Sequence, residues 1–109
     1  MKLIDTTGLA AAAAQFAHER DWRQYHSPKN LSMALSVEVA ELVEIFQWST
    51  EDESRAVMQT DEADHVRQEL ADIAIYLVQL CTSMKIDLNA AVEAKLVMNA
   101  QKYPAPDRT

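Results

Sequence analysis

The sequence predicts an all-α fold, on three observations. Only one glycine and three prolines interrupt 109 residues, while alanine, leucine, glutamate and glutamine are plentiful, a balance that favours helices over sheet. Apolar residues recur at helical spacing through four segments. Capping and stop residues stand near the ends of those segments. The chain reads as one domain, 1–109, with 1–7 and 104–109 as loose tails. Its 49% of hydrophobic residues against 25% charged is enough to build a core, which argues against disorder between those tails.

The first helix is expected from Gly8 to Trp22, with Thr6 or Thr7 as its cap and Leu9, Ala13, Phe16 and Ala17 facing inward. It flows into RDWRQYHSPKN, a loop that brings Trp22, Tyr25 and His26 together ahead of Pro28. The second helix, about 30–47, has Asn30 available as a cap and lines up Leu31, Leu35, Leu42 and Ile45. Thr50 and Glu53 form a possible capping box for a short helix or irregular connection. The third helix, about 61–84, carries Val66, Ile73, Ala74, Leu77 and Leu80 on its apolar side. Asp87 caps a fourth helix over 88–102, stopped by YPAP. Four helices on short links suggest a compact bundle, or half of a bundle completed by a second copy.

Charge and composition exclude several classes of function. Seventeen acids against ten bases give a net charge of −7, which repels phosphate backbones and argues against a nucleic-acid surface. Cys81 has no partner for a disulfide and reads as a packing residue in a reducing compartment. No apolar run approaches the roughly 20 residues that span a bilayer, and no secretory pattern opens the chain, so a cytoplasmic protein without membrane contact is expected.

The chemistry is concentrated in two acidic pairs. At about 100° per residue, Glu38 lies within about 60° of Leu31, Leu35, Leu42 and Ile45, in the middle of the apolar stripe, with Glu41 beside it. Glu69 sits likewise among Val66, Ile73 and Tyr76, with Asp72 at the same spacing. Desolvating an ionised carboxylate costs several kcal/mol, and neighbouring like charges add repulsion. The two apolar faces hold no lysine or arginine to offset this. Divalent cations are the economical answer, because a hard ion such as Mg²⁺ takes carboxylate oxygens, water and substrate phosphate. Partial exposure at a helix end is the alternative. Other sites are less well supported: Glu62-x-x-His65 occurs once where di-iron bundles use the motif twice, His18 and His65 read as surface side chains, and one glycine forbids a glycine-rich phosphate loop.

The stretch ERDWRQYHSPKNLSMALSVEVAELVEIFQW, followed by QELADIAIYLVQL and AKLVMNAQKYP, resembles the MazG-type all-α nucleoside triphosphate pyrophosphohydrolases, closest to their dCTP pyrophosphatase branch, over nearly all of residues 9–104. The resemblance implies a four-helix MazG-like bundle completed by oligomerisation, as a dimer or a dimer of dimers. It further implies Mg²⁺-dependent cleavage between the α and β phosphates of a nucleotide, with Mn²⁺ as a possible substitute. Glu38, Glu41, Glu69 and Asp72 then hold the metal, and Glu41 first, Glu38 second, is the candidate acid to take a proton from the attacking water. Trp22, His26, Trp48 and Tyr76 match positions lining the nucleotide pocket, and Lys95 and Asn99 match positions that help close it. Packing is the competing role for the tryptophans and Tyr76, and turn stabilisation for His26. Two positions depart from the family pattern. Val37 stands where the broader superfamily has a further acid, and the alanine run, at about Ala13, replaces a nucleotide-contacting histidine of the dCTP branch. A non-catalytic helical interaction module, or hydrolysis of dUTP or phosphoribosyl-ATP, are the alternative functions.

Overall fold

The computed structural model describes residues 2–108, and the described residues outside loops and turns are helical. Five α-helices follow in order: α1 Thr7–Glu19, α2 Pro28–Phe46, α3 Glu51–Arg55, α4 Ala63–Ser83 and α5 Leu88–Lys102. Single 3₁₀ turns at Arg23–Tyr25 and Val57–Gln59 complete the connections.

Helix α1 ends three residues before the expected Trp22. Asp21 takes a left-handed conformation (φ 56°) and the chain reverses. Trp22 N–H then donates to Ala17 O at 2.9 Å and Asp21 N–H to His18 O at 3.2 Å, so the last carbonyls are satisfied by a Schellman turn. Lys85 (φ 56°) closes α4 the same way, with Ile86 N–H on Cys81 O at 2.9 Å. At the start of α1, Thr6 holds the cap position without a side-chain cap bond, and Asp5 Oδ1 accepts from Thr7 N–H at 3.0 Å.

Helix α2 begins two residues earlier than expected, and Asn30 is not its cap. Proline suits the first helical position because the amide hydrogen it lacks would have no partner there. The cap therefore precedes Pro28: Ser27 Oγ accepts from Asn30 N–H at 3.1 Å, and Asn30 Nδ2 donates back to Tyr25 O at 2.9 Å. The Thr50–Glu53 capping box forms as expected. Asp87 Oδ1 accepts from Ala90 N–H at 3.1 Å and starts α5. Asp87→Ala should cost about 1 kcal/mol, read as faster amide hydrogen exchange through α5 with α2 and α4 unchanged.

The core lies where α2 packs along α4 and α1 rests on a second side of α4. Leu31, Val66, Val78, Ala13 and Ala17 are buried there. Ala74, expected inside, is exposed with Leu70 and Ala71, on a side of α4 that α1 and α2 leave open among the described residues. Phe16 is 49% exposed for a related reason: α1 is covered on one side only.

Helix α5 stands away from this core, and its first turn is tied to the N-terminal segment. There Asn89 Oδ1 accepts from Leu3 N–H (2.7 Å) and Ile4 N–H (2.9 Å), so part of the expected loose tail is anchored. The radius of gyration is 17.2 Å, against about 13 Å for a compact domain of this length. Accessible surface is 8502 Å² for 12.3 kDa, against about 6,100 Å² for a compact monomer. Within one chain the bundle is incomplete. Among the described residues, no helix is long and apolar enough to cross a membrane.

Candidate metal centre and adjoining cavity

The packing of α2 on α4 brings three of the four paired acids together. One carboxylate oxygen from each of Glu38, Glu41 and Glu69 lies within 4.8 Å of the other two. Glu69 is 7% exposed, and Glu38 and Glu41 are half-buried. Glu38 Oε2 and Glu69 Oε2 are both shielded from solvent without a hydrogen-bond partner. Orphaned acceptors of this kind are expensive and ask for a cation or a proton. Arg20, Arg55 and Arg67 form their ion pairs elsewhere, with the exposed acids Glu19, Glu51, Asp52 and Asp64.

The electrostatics report the crowding. Glu38 is pushed up from 4.5 to about 7, first by its carboxyl contact with Glu69, then by desolvation, by the Glu41 carboxyl and by the charge of Asp72. At neutral pH a substantial share of the metal-free molecules therefore carry a proton there. Asp72 lies outside the tight trio, yet near enough for its charge to reach Glu38.

Asp72 also belongs to the neighbouring cavity of about 350 Å³ between α1 and α4. Phe16, Trp22 and Tyr76 supply its aromatic walls, Ala12 and Ala13 its small ones, and His26 and Gln79 further polar groups. The turn at Asp21 folds Trp22 back onto Phe16, edge to face with centroids 5.6 Å apart. The Arg20 guanidinium caps the Phe16 ring at 3.5 Å, holding the pair from outside. Asp72, Tyr76 and Gln79 enter the cavity at i, i+4 and i+7 along α4, a spacing already visible in the sequence.

Three other candidates lie elsewhere in the chain. Trp48 is 89% exposed just beyond α2, Lys95 is exposed and Asn99 half-buried on α5, and none of them lines this cavity. Glu44 is exposed on α2. His65 is half-exposed, as expected of a surface residue, but it is not idle. Its Nδ1 is 3.0 Å from Glu62 Oε2 and its Nε2 3.3 Å from Glu69 Oε1. The hydrogen bond with Glu62 is the main influence raising its pKa, with both carboxylate charges adding to it against a desolvation penalty.

The profile of the MazG-like family matches residues 33–109. The chain belongs to the MazG-like family. A crystal structure of a pyrophosphatase from Archaeoglobus fulgidus is 41% identical, covers 90% of this MazG-like chain and 91% of its own, and superposes with a TM-score of 0.84. Among sequences, dCTP pyrophosphatase 1 of Homo sapiens is 45% identical over 93 residues, and that of Rattus norvegicus 46% over 92. Each match takes in 84% of this MazG-like chain but 55% and 54% of the relative, so the chain spans about half the length of these mammalian proteins.

Proposed function

We propose that the chain is a Mg²⁺-dependent nucleoside triphosphate pyrophosphohydrolase that converts a deoxynucleoside triphosphate to the monophosphate and pyrophosphate, clearing unwanted nucleotides from the cellular pool. One observation carries this reading: Asp72 lines the aromatic cavity and stands near enough to the carboxylate cluster for its charge to act on Glu38, so charged phosphates and a flat base can be held side by side. The donor set fits the metal, being hard oxygens with two buried atoms unpartnered. Mn²⁺ is a reasonable substitute on the same donors. The names of the mammalian relatives favour dCTP as substrate, and a modified or noncanonical dNTP is the second candidate.

Glu38, Glu41, Glu69 and Asp72 would hold the metal, which supplies charge neutralisation and Lewis acidity when bound. In this reading water attacks the α-phosphorus in line, the bond to the β-phosphate's bridging oxygen breaks, and pyrophosphate leaves. Glu41, with Glu38 as the alternative, takes the proton from the attacking water. Trp22 stacks on the base, Tyr76 and His26 offer a hydroxyl and a ring nitrogen to the sugar or phosphate, and Phe16 with the alanine wall excludes water.

Trp48, Lys95 and Asn99 would act at a site completed by a second copy, in a dimer or a dimer of dimers. The stand-off of α5 and the excess of exposed surface support this. The chain is read as a single cytoplasmic domain that binds neither nucleic acid nor membrane. Pyrophosphate release measured with Mg²⁺ over dCTP, 5-substituted dCTP, dUTP and ATP tests the proposal. Turnover of a cytosine nucleotide is expected. No turnover of any nucleotide would leave a non-catalytic helical module, and preference for dUTP would move the chain to another branch of the superfamily.

A further inference from the structure

We infer that His65 is a positioning residue for the metal-ligating carboxylate of Glu69, forming with Glu62 an outer chain Glu62–His65–Glu69 along one face of α4. The inference rests on the metal-centre reading above. Glu62, His65 and Glu69 stand at i, i+3 and i+7, so their side chains follow one another up the helix. His65 Nε2 meets Glu69 Oε1 at 3.3 Å, while Glu69 Oε2 is shielded from solvent and bonded to nothing. A carboxylate fixed through one oxygen presents the other in a set direction, here among the acids of the cluster. Glu62 Oε2, 3.0 Å from Nδ1, fixes the second ring nitrogen, so the imidazole cannot turn away. His65 does not share the 4.8 Å neighbourhood of Glu38, Glu41 and Glu69, which makes it a support for a ligand and not a ligand. Outer partners that orient metal ligands commonly change metal affinity by about 10- to 100-fold when removed. The competing role is simple charge compensation, in which the ring lends positive charge to the acids, and its loss would then tighten cation binding.

The two roles predict opposite signs. Mn²⁺ is titrated into the full chain without nucleotide, with free ion followed by electron paramagnetic resonance, for the parent, His65→Ala, His65→Gln and Glu62→Ala. His65→Ala should weaken Mn²⁺ binding about tenfold or more and alter the spectrum of the bound ion. His65→Gln, whose amide can still donate to Glu69, should recover to within about threefold of the parent. Affinity for His65→Ala within about twofold of the parent, or tighter, would overturn the inference alone. If His65→Ala melts early in EDTA, Glu62→Ala carries the test: weaker Mn²⁺ binding supports the chain of contacts and unchanged binding overturns it. A parent chain that binds no Mn²⁺ and hydrolyses no nucleotide would overturn the metal-centre reading, and this inference with it.

Discussion

Replacing Glu38 and Glu69 together by glutamine should lower pyrophosphate release by more than about 100-fold, because even outer partners of metal ligands are worth 10- to 100-fold and these two are proposed as ligands themselves. The same double variant should lose any rise in melting temperature that Mg²⁺ gives the parent, since a ligand stabilises only the state that binds it. In EDTA it should melt no earlier than the parent. Glutamine keeps the shape, removes two crowded negative charges and can donate a hydrogen bond where Glu38 Oε2 and Glu69 Oε2 have none. A Mg²⁺-dependent rise that survives in the variant would place the ion elsewhere.

Acid should weaken metal binding steeply. Glu38 is raised from 4.5 to about 7 in the folded, metal-free chain, so the folded state holds a proton that the unfolded state releases. That proton's contribution to stability is fully present below pH 4.5 and is lost as pH rises through about 7. The metal must displace it. Apparent Mg²⁺ affinity should therefore fall about fivefold from pH 7 to pH 6 and about 50-fold between pH 7 and pH 5, with proton release on binding near neutrality. Calorimetry in buffers of different ionisation enthalpy reads both quantities. Affinity independent of pH over that range would remove the crowded cluster as the binding site, and Glu38→Gln should flatten the profile.

The acidic pairs were legible in the sequence because both ingredients are local: the helical period and the cost of burying charge. The same holds for α5, whose bounds follow from Asp87 at one end and YPAP at the other. Where α1 stops was not legible, since a left-handed residue is usually advertised by glycine and here it is Asp21. Asn30 and Ser27 offer equivalent capping chemistry, and only the preference of Pro28 for the first helical position separates them. The stand-off of α5 was not readable either, because an apolar pattern says that a face needs covering and not which chain covers it. His65 shows a third kind of gap. Its spacing from Glu69 is visible in the sequence, but spacing does not choose the side-chain conformation that joins them.

The chain turns the ends of α1 and α4 with aspartate and lysine, and its sole glycine lies inside α1. A residue with a β-carbon gives up about 1–2 kcal/mol in a left-handed turn, yet it also has fewer conformations to wander through than glycine would. Trp22 is thus mounted on a stiff bracket instead of a hinge. Aromatic walls fixed in this way select a guest by its fit to an existing slot, with little of the binding energy spent on ordering the loop.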